Sequence, residues 1–397
     1  MSRPTGTSDT PSACRSQIAC AFQRALSPGA IRWAFGLLSL ALLAVPARPV
    51  AAEDAYQLGY DYYQKEQYSS CAEEMEKAVK ESPDEYKRQY LLGLCYAKAG
   101  KWDSAIEPLK KATMVQNDSL DGFKMLGQAY FKLPKPDYYQ AQIALERAAK
   151  LDPKDASIHY LYGFASLKIG KHAAAIEALK QARELNPKDK RALRELGTAY
   201  VGAKDWANAE KTLAAAAQEL GGDCGVIKML AAVQMTNAGA VSGDAERKNL
   251  FGKAFATVKD CAAKGDDVDQ MYTAGKAALF SERADDAISF LGKVVAKSPK
   301  NHQANSYLGQ AYELKNQEEK ALAAYQKALE IGKAGGLNGT DLADYLYRVG
   351  HAHHLLKAYK EAVTYYDQAM KISPDHDRAT AWKEKAMERI KQAEMQE

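Results

Sequence analysis

One glycine recurs along the chain, at Gly59, Gly93, Gly127, Gly163, Gly197, Gly275, Gly309 and Gly350. The intervals are 34, 34, 36, 34, 78, 34 and 41 residues. The interval of 78 is one period of 34 and one of 44, so one unit has lost its glycine. Twelve residues after the glycine comes a small residue, as at Cys71, Ala105, Ala175, Ala209, Ala287, Ala321 and Ala362; Ala141 arrives two late. Four further on stands a large residue: Met75, Leu109, Leu145, Leu179, Leu213, Leu291, Tyr325 or Tyr366. Three beyond that is Ala78, Ala112, Ala148, Ala182, Ala216, Val294, Ala328 or Ala369. Pro83, Pro153, Pro187, Pro299 and Pro374 then close five of the units.

A fixed period of this size means one structural unit stacked on copies of itself. Spacings of three and four put residues on one helix face, so each unit reads as two antiparallel helices. Small residues let the two helices approach, and the large one fills the space between them. Proline ends the second helix because it cannot continue the hydrogen-bond ladder.

The first half of the unit reads Leu-Gly-x-x-Tyr at Leu92–Tyr96, Leu126–Tyr130, Leu196–Tyr200 and Leu308–Tyr312. With the alanines and prolines that follow, this resembles the tetratricopeptide repeat (TPR) across about residues 52–376, as an exported bacterial member. Ser166, Ala278 and His353 depart from the tyrosine, and Asn117, Gly221 and Lys333 from the proline. The expected fold is all-α: an α-solenoid of about nine helix-turn-helix units plus a C-terminal capping helix. Units one to five occupy 53–223, an atypical unit 224–267, units seven to nine 268–376, and the capping helix 377–397. In the atypical unit a helix is expected over Val226–Met235, then a Gly/Ser-containing insert, Thr236–Gly243, then a helix over Asp244–Lys264. The insert reads as an elongated loop, a hinge or a partner site. A second insert is expected at Gly335–Asp341. Trp382, Ala386, Met387 and Ile390 are placed to cover the apolar end of the stack.

Residues 1–52 read as a cleaved export signal. Arg24 and Arg32 precede a 13-residue apolar run, Trp33–Val45, and Val50-Ala51-Ala52 offers a small-residue cleavage site. The run falls short of the roughly 20 residues that span a bilayer. Those 52 residues hold five Arg and one acid, Asp9, against a whole-chain charge of +4. The remainder is therefore neutral, which removes the electrostatic basis for a nucleic-acid partner. Export implies a periplasmic or secreted protein. The alternative, with Trp33–Val45 retained, is a membrane-anchored assembly factor.

No Gly-rich phosphate loop, Gly-x-Ser-x-Gly, His-Glu-x-x-His or Cys-x-x-Cys occurs. The chain is read as a non-enzyme without cofactor or metal; His351, His353 and His354 are taken as groove or surface residues. Accessory subunit of an envelope enzyme complex is the remaining alternative. Cys71, Cys95, Cys224 and Cys261 follow the signal. Antiparallel helices bring Cys71 to Cys95 and Cys224 to Cys261, as disulfides or as buried free thiols.

The resemblance implies a concave groove lined by the first helix of each unit, holding a protein or peptide ligand and supporting an envelope assembly. Positions 5, 9 and 12 of the units give Tyr56, Tyr60, Tyr63, Tyr90, Leu94, Lys124, Gln128, Phe131, Tyr160, Phe164, Leu167, Arg194, Tyr272, Lys276 and Leu279, with Arg191 beside Arg194. The N-terminal half is aromatic with a few cations, the chemistry of binding hot spots. Tyr60, Tyr90, Tyr160 and Phe164 are expected to converge, and Lys124 to orient an acidic group. Position 9 is never Asn in units one to five, so a chaperone-type carboxylate clamp is not expected.

Overall fold

Each recurring glycine lies under the large residue sixteen positions on, or eighteen in unit three. A Cβ placed on Gly59 would stand 2.7 Å from Met75; on Gly93, 2.5 Å from Leu109; on Gly163, 2.7 Å from Leu179; on Gly309, 2.6 Å from Tyr325. Leu109, Leu145, Leu179, Leu213 and Leu291 are fully buried. This contact closes one helix pair, and the structure, a computed structural model describing residues 50–396, repeats it along the chain.

Nineteen helices run through the described residues. In order they are α1 (Val50–Gln64), α2 (Tyr68–Glu81), α3 (Tyr86–Lys98), α4 (Trp102–Val115), α5 (Leu120–Lys132), α6 (Tyr138–Leu151), α7 (Ala156–Lys168), α8 (His172–Leu185), α9 (Lys190–Gly202) and α10 (Trp206–Glu219). They continue as α11 (Cys224–Ala240), α12 (Asp244–Lys264), α13 (Val268–Phe280), α14 (Ala284–Lys297), α15 (His302–Glu313), α16 (Glu318–Ala334), α17 (Gly339–Leu355), α18 (Tyr359–Ile372) and α19 (Asp377–Glu394). The fold is an all-α solenoid of nine helix pairs and a final helix. The expected export signal lies almost wholly outside the described residues.

From α2 to α19 each helix packs on its sequence neighbours, and α1 meets α2 where Gly59 lies under Met75. Successive first helices also touch, as α7 with α9, α9 with α11, α11 with α13 and α13 with α15. No contact of that extent joins one second helix to the next among the described residues. The first helices therefore line the tighter, inner side.

Local chemistry sets the boundaries. Six first helices carry a side-chain N-cap: Ser119, Asp155, Asp189, Asp223, Asp267 and Asn301 each accept from a backbone amide of the first turn. Outside units three and six, the turn inside a unit holds one left-handed residue, seven positions after the repeat glycine. Gly100 and Gly170 fill it at φ 76° and 77°. Elsewhere Glu66, Lys204, Glu282, Asn316 and Lys357 adopt φ between 51° and 62°.

The atypical unit departs from the sequence reading. The stretch Thr236–Gly243 is not a long loop: α11 runs on to Ala240, and α12 begins at Asp244. The extra length of the unit is added as helix to both partners, giving 17 and 21 residues where most helices have 12 to 14. The missing glycine is Ala231, and the residue in the large position is the smaller Val258; both are fully buried in one cluster. A larger residue at one contact is matched by a smaller one opposite, which conserves volume.

Cys71 is bonded to Cys95, with Cα atoms 5.8 Å apart, and Cys224 to Cys261 at 5.6 Å. At the C-terminus Ala379 and Ala386 are fully buried on the last unit and Trp382 packs against it. Met387, expected there, is instead 52% exposed.

Candidate partner-binding trough

The extension of the atypical unit builds a wall. Met235, Thr236 and Gly239 on the late turns of α11, with Arg247 and Phe251 on the early turns of α12, face Tyr272, Lys276 and Phe280 of α13 and Tyr307 of α15. Together they enclose a cleft of about 820 Å³. Its aromatic rings touch in series: Phe251 to Phe280 at 5.0 Å between centroids, Phe280 to Tyr307 at 5.9 Å, and Tyr307 to Tyr272 at 6.0 Å. Tyr272 donates to Gln303 Oε1 at 3.1 Å. Burial raises the Tyr272 phenol above its ordinary value, so it stays a donor.

A half-buried carboxylate fixes the foot of the wall. Glu210 on α10 accepts from Asn237 and from Lys253, each at 2.7 Å, which ties it to α11 and α12. Gln234 accepts from Thr257 at 2.9 Å, which joins the two long helices directly. Burial raises the Glu210 pKa, but Lys253, Asn237 and Gln234 outweigh it and the net shift is downward.

The cleft continues toward the C-terminus. A second hollow of about 560 Å³ shares Phe280 and is lined by Leu314 and Leu355, by Arg348, His351 and Arg378, and by Glu282, Glu313 and Glu318. Phe280, Leu314 and Leu355 are 38%, 46% and 38% exposed. All three stand five residues after a repeat glycine. In units one to five that position holds Gln64, Lys98, Lys132, Lys168 and Gly202. The change from polar side chains or glycine to large apolar side chains at one repeat position makes a ladder along the edge of the trough.

The sequence-derived groove residues fall into separate settings. Tyr272 and Lys276 line the cleft. Phe131, Tyr160 and Phe164 come together with Tyr138, which the periodicity did not single out; the Phe131–Phe164 and Tyr160–Phe164 centroids are 5.9 and 6.2 Å apart. The Arg191 guanidinium lies 4.7 Å from the Tyr160 ring and the Lys168 ammonium 5.0 Å from Phe164. Tyr90 stacks on Tyr86 at 5.5 Å, Tyr63 meets Tyr68 edge-on at 5.8 Å, and the Arg88 guanidinium stands 5.9 Å from the Tyr56 ring. Tyr60 is 42% exposed, and Gln128, Leu94 and Leu167 are half-buried. Leu279 is buried in the core rather than presented to a ligand.

Lys124 is not a free cation. Its ammonium donates to Asp155 Oδ2 at 2.6 Å, linking α5 to the N-cap of α7. Burial pushes the Asp155 carboxyl up, but Lys124, the Ser157 hydroxyl and the amides of Ser157 and Ile158 outweigh it and hold the group at about 2. Arg194 is likewise engaged, with Glu195 at 3.1 Å and Asp223 at 4.0 Å. The three histidines are engaged with neighbouring side chains, two of them sharing Trp382. His351 lies 3.0 Å from Glu313 and edge-on to Trp382, His353 stacks on Tyr365, and His354 meets Trp382 and Tyr359. Sequence reasoning missed Arg247, Phe251, Phe280, Tyr307, Leu314 and Leu355; the signal for the last two and Phe280 was the polarity of one repeat position.

Family models described as tetratricopeptide repeat match residues 125–179, 167–233 and 302–375. The chain is a tetratricopeptide-repeat protein. Such a stack of repeats is a scaffold for protein–protein interaction. A further model, described as anaphase-promoting complex, cyclosome, subunit 3, matches residues 36–112 and 75–138 of this TPR protein. No curated protein sequence matches it. Among solved structures it is similar to MamA, with 27% identity over 43% of this chain and 91% of that one, at a TM-score of 0.39. It is also similar to the C-terminal part of a TPR repeat-containing protein from Cytophaga hutchinsonii, with 16% identity over 64% and 99% and a TM-score of 0.46. A third similarity is to a tetratricopeptide repeat protein from Parabacteroides merdae, with 15% identity over 66% and 98% and a TM-score of 0.40. Among the described residues of the TPR protein, no helix is long and apolar enough to cross a membrane.

Proposed function

We propose that this TPR protein is an exported scaffold that holds a partner protein in the trough of units six to nine and so supports an assembly of the cell envelope. One observation carries the choice of surface: the atypical unit extends both its helices to wall a cleft of about 820 Å³ on the inner side of the stack. A cleft that size, largely apolar with a few placed polar groups, has the composition of a binding site. Export is supported by the basic, apolar and small-residue order of residues 1–52 and by two disulfides, bonds that persist in oxidising compartments.

Photo-crosslinking tests the surface. Benzoylphenylalanine in place of Tyr307 or Leu314, in cells of the source organism, is expected to trap one discrete protein. Adducts from a probe at Phe164 but none from either trough position would contradict the reading. For export, residues 1–60 fused to a reporter active only outside the cytoplasm should give signal; a full-length, unprocessed chain confined to the cytosol would contradict it.

A further inference from the structure

The cleft walled by α11 and α12 is a small cationic site in a chain whose charges cancel beyond residue 52. Arg247 and Lys276 stand among the rings of Phe251, Tyr272, Phe280 and Tyr307, and no carboxylate belongs to its lining. The two cations differ in their partners. Arg247 meets the exposed Asp244 one turn before it on α12. Lys276 makes no ion pair or hydrogen bond among the described residues; its ammonium rests 5.6 Å from the Tyr307 ring. Most half-buried cations of the first helices are paired, as Lys124 is with Asp155 and Lys228 with Asp267. An ammonium held over an aromatic face and left without an anion is poised for one supplied from outside.

A second observation fixes what accompanies that anion. The ladder of Phe280, Leu314 and Leu355 leads away from the cleft along the same trough, and Phe280 belongs to both hollows. Isolated apolar residues on a surface need no explanation, but three at one repeat position in consecutive units present a continuous edge.

We infer that the trough takes a segment of another protein in which an acidic side chain is followed by apolar side chains, the carboxylate on Lys276 and Arg247 and the apolar groups along Phe280, Leu314 and Leu355. This rests on the reading of the trough as the partner surface and adds the chemistry of the partner. The cations select the segment and speed its encounter, while the desolvated apolar anchors supply most of the affinity.

Fluorescence anisotropy with the purified full chain tests this, using fluorescein-labelled, C-terminally amidated twelve-residue peptide pools of three kinds: acidic–apolar, basic–apolar and apolar with no charge. The acidic–apolar pool is expected to bind best. Lys276→Glu should weaken that binding about tenfold or more, and Lys276→Met, which keeps the packing stem, should weaken it less. Leu314→Asp should weaken all pools. Lys124→Glu, on a residue outside the trough, should leave the trough affinity unchanged. Unchanged helical circular dichroism shows that each variant folds. Equal or better binding of the basic–apolar pool, or indifference to Lys276→Glu, overturns the inference. If Leu314→Asp still abolishes that binding, the trough stands and only its charge preference falls. If a non-amidated pool is required for binding, the anion is a chain terminus, which also overturns the side-chain assignment. If no pool binds and Leu314 probes trap nothing in cells, the trough itself is the wrong surface.

Discussion

A missing Cβ is what each repeat needs first, and its consequence is measurable. On Gly127 a Cβ would lie 2.5 Å from Leu145 Cγ, an atom near the backbone of a fully buried side chain. Gly127→Ala is therefore expected to lower stability by about 1–2 kcal/mol through overpacking. Gly292, on α14, has nothing within 4 Å of its virtual Cβ, so Gly292→Ala should raise stability by up to about 1 kcal/mol, as helix propensity dictates. Urea unfolding of both variants distinguishes a packing glycine from an incidental one; a stabilised Gly127→Ala would contradict the packing account. The Lys124–Asp155 pair gives a pH signature. The Asp155 carboxyl is lowered from 3.8 to about 2 in the fold. Its stabilisation is fully present above pH 3.8 and is lost as pH falls through about 2. Asp155→Asn keeps the cap but not the charge, so the Tm difference from the parent chain should narrow between pH 5 and pH 2. The repeat glycines are legible in the sequence because a packing contact recurs with the period. The fate of Lys124 was not, because its partner lies one unit away and periodicity alone does not say which charges meet.

Helices and turns carry their own tests. The turn within seven of the nine units is built on a left-handed residue, and at Lys204 (φ 59°) an ordinary side chain occupies it. Lys204→Gly relieves that conformation and is expected to stabilise by up to about 1 kcal/mol, net of the entropy gained by the unfolded chain. A loss of Tm would mean that the Lys204 side chain contributes more than the backbone costs. The Cys224–Cys261 bond closes 37 residues across the two long helices. Chain entropy assigns such a closure about 3–4 kcal/mol, so reduction should lower Tm and loosen first the end of the α11–α12 pair that the bond ties, opposite the wall. Hydrogen exchange at α11 and α12 with and without reductant reads this, and thiol counting on the unreduced protein should find neither cysteine free. The existence of these helices was legible from the small–large–small spacing Ala254, Val258, Cys261. Their length was not: Gly239, Ser242 and Gly243 suggested a loop. The antiparallel partner and the Glu210 network hold α11 helical past Gly239, a tertiary override of local propensity.

Among the described residues, extended contacts join each unit to its neighbours in the stack, so a local departure changes one stretch of the inner surface without disturbing the rest. That independence lets units one to four keep polar residues, and unit five a glycine, at the position where units seven to nine place Phe280, Leu314 and Leu355. It also explains why an aromatic count pointed to the N-terminal half. Phe131, Tyr138, Tyr160 and Phe164 are numerous but face one another, whereas the cleft is made by fewer rings and a wall that only the folded extension supplies. The central claim is that units six to nine, and not the N-terminal aromatic cluster, form the partner surface. It is tested most directly by measuring the affinity of the crosslinked partner for two double variants side by side. The account predicts that Phe280→Ala with Leu314→Ala weakens binding by about tenfold or more, at unchanged helicity, while Tyr160→Ala with Phe164→Ala leaves it within about twofold. Loss of binding in the Tyr160/Phe164 variant, with the Phe280/Leu314 variant unaffected, would contradict it.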